Sequence, residues 1–212
     1  MYLFSRSARL GPGNLVDSMA WSVKVTEKVN QISELDVRLW TTVFSPGLGT
    51  LVWSAMVDDL AVLEATDAKL FADAGYTSLV EEGAKYSSGE AIDDALVQLI
   101  LADEDARNAQ PQYASVVQAV VAPGSAVRAM EVGVEIAQRA KKITGRPTSF
   151  GAAQTGPYGG VGWFILYDSV EQLQKSGETI AADSSFAQFI DKEAGKAYLA
   201  GATTQKVYRR VV

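Results

Sequence analysis

Pro12-Gly13 recurs as Pro123-Gly124, and the same separation of 111 residues brings Val16 onto Val127, Met19 onto Met130, Val23 onto Val134 and Ile32 onto Ile143. Pro46 and Gly49 return as Pro157 and Gly160. After a one-residue deletion, Asp58, Leu63, Ala72 and Asp73 return as Asp168, Leu173, Ala182 and Asp183. Single identities at a fixed offset are common. A breaker, a helix stripe, a turn and an acidic cap recurring in one order mark a tandem duplication. The expected organisation is a first half over 1–102, a polar linker over 103–112 (DEDARNAQPQ) and a second half over 113–212.

Both halves are patterned alike. Tyr2–Arg9 alternates with period two, the signature of a strand. Pro12-Gly13 ends it, and Asn14 is the expected N-cap of a helix whose stripe is Trp21, Val25, Val29 and Ile32. Asp36–Phe44 and Thr50–Val57 predict a hairpin about the turn Ser45–Gly49. A helical region runs from Asp58 or Asp59 to about Tyr86, broken near Gly75, and Ala91–Ala102 is a nearly continuous apolar strand. The second half repeats the order. It has a strand over Tyr113–Ala122, an N-cap at Ser125, and a helix with the stripe Val132, Ile136, Ala140 and Ile143 that stops at Gly145. Strands over Thr148–Thr155 and Val161–Tyr167 then flank the turn Gly156–Gly160. A helical region reaches about Leu199, and the last strand is Thr203–Val212. Each half is thus β-α-β-β-α-β, the ferredoxin-like unit. The fold class is α+β, two tandem repeats whose antiparallel sheets pack into an α+β barrel, each covering the other's apolar face.

Two glycine expectations follow from this alignment. Gly160, the turn glycine that both halves share, should take positive φ, while Gly159 answers Leu48 and should not need it. Gly162 lies inside a strand without a glycine counterpart, which points to a neighbouring backbone or a ligand. Trp40 answers Gly151, and Leu51-Val52 answers Gly162-Trp163.

This arrangement resembles the dimeric α+β barrel superfamily, here with two protomers fused in one chain. That superfamily includes the antibiotic-biosynthesis monooxygenases, NIPSNAP and EthD-like proteins, muconolactone isomerase and stress-responsive barrel proteins. The resemblance rests on topology and pattern over nearly the whole chain; no family-specific motif accompanies it. It implies a ligand pocket between sheet and helices or near the barrel mouth. Haem-degrading relatives use histidine, so this chain departs from that branch and from chlorite-dismutase-like haem enzymes.

The chain contains no cysteine and no histidine. Disulfides, thiolate nucleophiles, Ser-His-Asp triads and histidine-ligated metals are thereby excluded, leaving Asp, Glu, Lys and Tyr for acid–base work. No cofactor and no metal site are expected, since neither a P-loop nor an EF-hand is present. At 48% hydrophobic and 21% charged, with a net charge of −6, the chain is built for a sizeable core and poorly suited to phosphate backbones. No stretch has the length of a membrane span, and MYLFSRSARLGPG is too short and polar for a secretory signal, so a cytoplasmic location is expected. The acidic clusters Glu81-Glu82, Asp93-Asp94 and Asp103-Glu104-Asp105 read as solvated surface.

The polar candidates in otherwise apolar strands are Arg6, Arg38, Gln118 and Gln154. An arginine there clamps a carboxylate or enolate, or else faces solvent at a sheet edge. The aromatic candidates are Trp40, Trp53, Trp163, Phe164 and Tyr167, each either pocket lining or core. Asp168 is either the partner of Tyr167 or the cap of the following helix. The set carried forward as ligand-binding is Arg38, Trp40, Gln154, Gly162, Trp163 and Tyr167, for a small hydrophobic or aromatic ligand. The expected function is a small-molecule-binding barrel protein. The alternatives are a cofactor-independent monooxygenase or isomerase of an aromatic or polyketide-like compound, and a structural protein assembling into homo-oligomers through exposed sheet edges, with Arg209-Arg210 guarding Thr203–Val212 against open-ended pairing if that strand is an edge.

Overall fold

The structure, a computed structural model, describes residues 1–13 and 15–212. The N-cap expected at Asn14 lies outside the described residues. Hydrogen-bonded strands run in the order β1-β3-β2-β8-β5-β7-β6-β4 in one closed barrel of eight strands. The last strand, β8 (Thr204–Arg210), is therefore not an edge, so Arg209-Arg210 have no free edge to guard and assembly through exposed edges of this sheet loses its basis. Two compact units make up the chain: Met1–Leu96 with Arg209–Val212, and Val97–Tyr208.

In the first unit β1 (Tyr2–Arg9) pairs antiparallel with β3 (Thr50–Val57), and β3 with β2 (Arg38–Val43). Helices α1 (Leu15–Ile32), α2 (Leu60–Ala72) and α3 (Ala74–Gly83) join in a cluster of Val25, Leu70 and Tyr76, with Trp21, Val29, Ile32, Trp53 and Leu79 packed against it. Side chains alternate across a strand, so Trp53 carries Leu51, Ala55 and Val57 to the helix side, and all three are buried. Val52, Ser54 and Met56 face the other way. The aspartates that precede the helices explain where these start: Asp59 accepts from the N–H of Ala61, and Asp73 from that of Tyr76. The strand β4 (Asp93–Leu101) follows.

In the second unit, α4 (Glu104–Asn108) is followed by β5 (Tyr113–Val120), α5 (Ala126–Thr144), β6 (Thr148–Ala153) and β7 (Gly160–Tyr167). Then come α6 (Val170–Ala182), α7 (Ser184–Phe189), a π-helical turn over Ile190–Ala194 and the short α8 (Gly195–Ala197). The core lies between α5 and the sheet: Ala129, Val132 and Ala137 meet Phe150, Val161, Trp163, Phe189 and Tyr198. Gly145 ends α5 in the left-handed conformation, φ 67°, with its N–H on the carbonyl of Lys141. Ser125 holds the N-cap position of α5, as expected, but its side chain makes no capping bond to the helix. Its hydroxyl donates to the carbonyl of Lys196, 71 residues on. Asp168 is not the cap of α6: Ser169 accepts from Gln172 N–H, and Asp168 pairs with Arg146 at 3.2 Å.

The two hairpins locate the deletion that separates the repeats. Thr41 pairs with Leu51, and its counterpart Ala152 pairs with Val161, so the second connection is one residue shorter. The separation is 111 before the turn and 110 after it. Gly49 (φ 87°) therefore answers Gly159 (φ 76°), which takes the positive φ, while Gly160 is the first residue of β7. The expectation for Gly160 fails because the deletion lies inside the turn, not beyond it. For the same reason Leu51-Val52 answers Val161-Gly162, and Trp53 answers Trp163 directly.

Candidate functional site

The face of the first-unit sheet turned away from its helices carries an unusual row. Register sets Arg38 opposite Ser54 and Ser54 opposite Ser5. The next row on that face is Trp40, Val52 and Ser7. Arg38 and Trp40 are buried, 8% and 6% exposed, whereas Ser5, Ser7, Val52 and Ser54 are half-buried. A buried guanidinium and a buried indole thus have half-buried cross-strand neighbours on the same face.

The buried polar groups of Arg38 and Trp40 are hydrogen-bonded. The Arg38 guanidinium donates from Nε (2.9 Å) and a terminal nitrogen (2.8 Å) to one oxygen of Asp36, whose side chain is itself mostly exposed. The indole N–H of Trp40 donates to Ser54 Oγ at 2.9 Å. Ser54, accepting there, keeps its own O–H as a donor. Arg210 stands within electrostatic reach: burial first, then the charge of Arg38, pushes its pKa below the ordinary guanidinium value.

The corresponding rows of the second unit are different. Ser149, Phe164 and Val116 form one, and Gly151, Gly162 and Gln118 the other. Gly162 is buried under an aromatic ring: a Cβ there would stand 3.1 Å from Cζ of Phe164. Gly151 is covered by Val97, whose Cγ1 would meet an added Cβ at 2.5 Å.

Arg38 and Trp40 share one face of the first-unit sheet, while Gln154, Gly162, Trp163 and Tyr167 belong to the second unit. Trp163 is on the helix side of its sheet, donating to Gly133 O at 2.8 Å, tilted against Phe150 and edge-to-face with Tyr198. Trp53 is its equivalent, bonded to Thr26 Oγ1 at 2.9 Å. Tyr167 is 4% exposed among Ala140, Ile165, Tyr113 and Leu173, and burial pushes its pKa up to about 12. Gln154 is exposed beyond β6, its amide on Ala152 O. Arg6 makes a two-point pair with Asp94, both distances 2.8 Å, on the helix side. Ser54 and Ser5 were not singled out from sequence, and Arg210 only as part of a basic pair on a possible edge, although the parity of a hairpin about Ser45–Gly49 already puts Ser54 on the Arg38 face.

The second unit also has an open cleft of about 390 Å³ beside Asp103 and Lys141. Asp103 is not the solvated acid expected of its cluster. Its side chain is 3% exposed and accepts from Lys141 at 2.8 Å, from Thr148 N–H at 2.9 Å and from Asp105 N–H at 3.1 Å. Burial raises its pKa, but these donors outweigh burial and hold it below the usual carboxylate value. Asp103 is thus a pin fastening the start of α4 to α5 and β6. Residues 103–112 carry α4, with Ala106 and Pro111 buried as well.

Among the described residues no group of three or more acidic, histidine or cysteine side chains is placed to hold a metal. The Arg38 row offers a haem iron no axial ligand, and the chain lacks histidine and cysteine. No described helix is long and apolar enough to cross a membrane.

No family model and no curated protein sequence matches this chain. Solved structures do match it. A candidate monooxygenase from Fusobacterium nucleatum superposes with a TM-score of 0.74 at 11% identity, covering 100% of this chain and 92% of the other. An anthrone oxidase-like protein gives 0.64 at 10% identity, covering 100% and 91%. A haem-binding protein from Thermus thermophilus gives 0.56 at 12% identity, covering 100% and 91%. At such identities the likeness is one of fold. The chain has the fold of the dimeric α+β barrel superfamily, with two ferredoxin-like repeats joined in a single polypeptide.

Proposed function

We propose that the protein binds a small aromatic or apolar molecule on the first-unit face floored by Arg38 and Trp40. The observation that carries this reading is the buried Trp40 and Arg38 sharing a sheet face with the half-buried Ser5, Ser7, Val52 and Ser54. An apolar wall with a few convergent polar groups is the usual composition of a ligand site. The test is calorimetric titration with naphthalene- and anthracene-derived compounds. Binding that weakens about tenfold or more in Trp40→Ala, the range for losing an aromatic anchor, and persists in Trp53→Phe supports the site. Absence of binding across the panel overturns it.

A second reading is oxygenation of such a compound without a cofactor. The chemistry named for two fold relatives favours it, as does a guanidinium able to stabilise an enolate oxygen. Oxygen uptake with a hydroquinone or anthrone panel, lost in Arg38→Gln, supports catalysis; binding without uptake leaves a binding protein.

A further inference from the structure

We infer that the outer face of α2 is an interface between two copies of this chain, packed helix against helix about a two-fold axis. The inference is independent of the ligand site. Its basis is the contrast between one helix and its own duplicate. Helix α2 turns Thr66 and Leu70 inward, and both are buried. Its opposite side carries Ala61, Val62, Ala65, Ala68, Phe71 and Ala72, all exposed. Phe71 is 68% exposed. At the separation of 110, α6 has Glu171, Gln172, Lys175 and Glu178 where α2 has Ala61, Val62, Ala65 and Ala68. The duplicate is an ordinary surface helix, charged where it meets solvent. In α2 apolar residues continue round to the outer side, the pattern of a helix covered on both sides. The fold does not require them there, since α6 forms with Glu171, Lys175 and Glu178 exposed at the same positions.

The charges beside this face fit a second copy of it. Ala61, Ala65, Ala68 and Ala72 recur at intervals of four, three and four, the spacing of a coiled-coil seam. Glu64 and Lys69 flank that seam on opposite sides, five residues apart. In two parallel helices such a pair meets across the interface, Glu64 of one copy beside Lys69 of the partner copy. A two-fold axis along the helices makes the contact twice. Within the chain neither Glu64 nor Lys69 has an ion pair among the described residues. A helix of 13 residues is about 20 Å long. Its face is small beside the roughly 800 Å² that each partner gives to a standard interface, so the association is weak and depends on concentration.

Sedimentation velocity of the full chain, from about 1 μM to about 300 μM, covers the range in which so small an interface dissociates. The wild type should shift from monomer to dimer as concentration rises. Ala65→Lys/Ala68→Glu, which copies Lys175 and Glu178 onto exposed positions, should keep its melting temperature and stay monomeric. Glu64→Lys should weaken dimerisation by about threefold or more, the scale of an exposed ion pair made twice. Glu64→Lys/Lys69→Glu should restore it. A monomer at every concentration overturns the inference, as does a dimer untouched by Ala65→Lys/Ala68→Glu. A monomer that instead sediments with phosphatidylcholine vesicles, and releases them in that variant, gives the face to a lipid surface and overturns the second copy as its occupant. Failure of the charge swap to restore dimerisation overturns the two-fold arrangement along the helix.

Discussion

The ring of Phe150 fills the volume that a Cβ on Gly133 would occupy, with three of its ring carbons within contact distance of the missing atom. Phe150 is fully buried, and Gly133 O accepts the indole proton of Trp163. At the equivalent positions the first repeat carries a larger helix residue and a smaller strand residue, Ser22 and Leu39, both 0% exposed.

Gly133→Ser should therefore destabilise the protein by about 1–3 kcal/mol, the usual range for overpacking, although serine is a better helix former than glycine. The double variant Gly133→Ser/Phe150→Leu, which copies the first repeat, should recover part of that loss. Urea unfolding of the three proteins measures it. Additive losses would show that the two positions do not share one volume.

Asp103→Asn should cost about 2–3 kcal/mol, the scale of hydrogen bonds to a charged group. Its carboxylate pKa is lowered in the folded chain, so its contribution is complete above the unfolded value near 4 and fades as pH falls through the lower folded value. Wild type and Asp103→Asn should thus converge in melting temperature on acidification below about pH 4. A constant gap down to pH 2 would remove the charge from the explanation.

The repeat, the element order and the barrel were legible because breakers, stripes and turns are local signals. Pro12-Gly13 and Pro123-Gly124 end strands whatever surrounds them. The exact register of the hairpin was not. Gly49 and Gly160 matched by identity at 111, yet the backbone places the lost residue before them, and only strand pairing shows it. The site was half legible. Arg38 and Trp40 stood out as a charge and an indole in a strand, and they do share a face. Trp163 and Tyr167 share that chemistry, but alternate positions put them on the helix side. Ser54 carries no sequence signal until the register sets it opposite Arg38. Asp103 looked like solvated acid because its partners, Lys141 and Thr148, lie about forty residues away.

The turn offers a sharp backbone test. Gly159 has φ 76°, where a side chain is strained, and Gly160 is extended strand. Gly159→Val should cost about 1–3 kcal/mol. Gly160→Thr, the residue the first repeat carries as Thr50, should cost less despite a Cβ contact of 3.0 Å with Pro157 O. The reverse ranking in thermal unfolding would return the positive φ to Gly160.

Tyr167 gives the alkaline counterpart to Asp103. Its phenol is 4% exposed and burial raises its pKa from 10.0 to about 12. The raised value means that the folded chain holds the proton more tightly than the unfolded chain. Its contribution is intact below pH 10 and is lost as pH rises from about 10 to about 12. A shift of that size corresponds to about 2–3 kcal/mol at most. Tyr198 and Tyr208 are raised in the same direction by burial and will add to the loss. The midpoint of denaturant unfolding should therefore fall steeply between pH 10 and 12 in the wild type, and less steeply in Tyr167→Phe, which has no proton to lose there. Ultraviolet titration of the phenol supplies the second reading: one high-pKa tyrosine should be missing from the variant. Identical slopes in the two proteins would mean that Tyr167 ionises in the folded state as it does in water, and that its surroundings are wetter than the packing of Ala140, Ile165 and Leu173 implies.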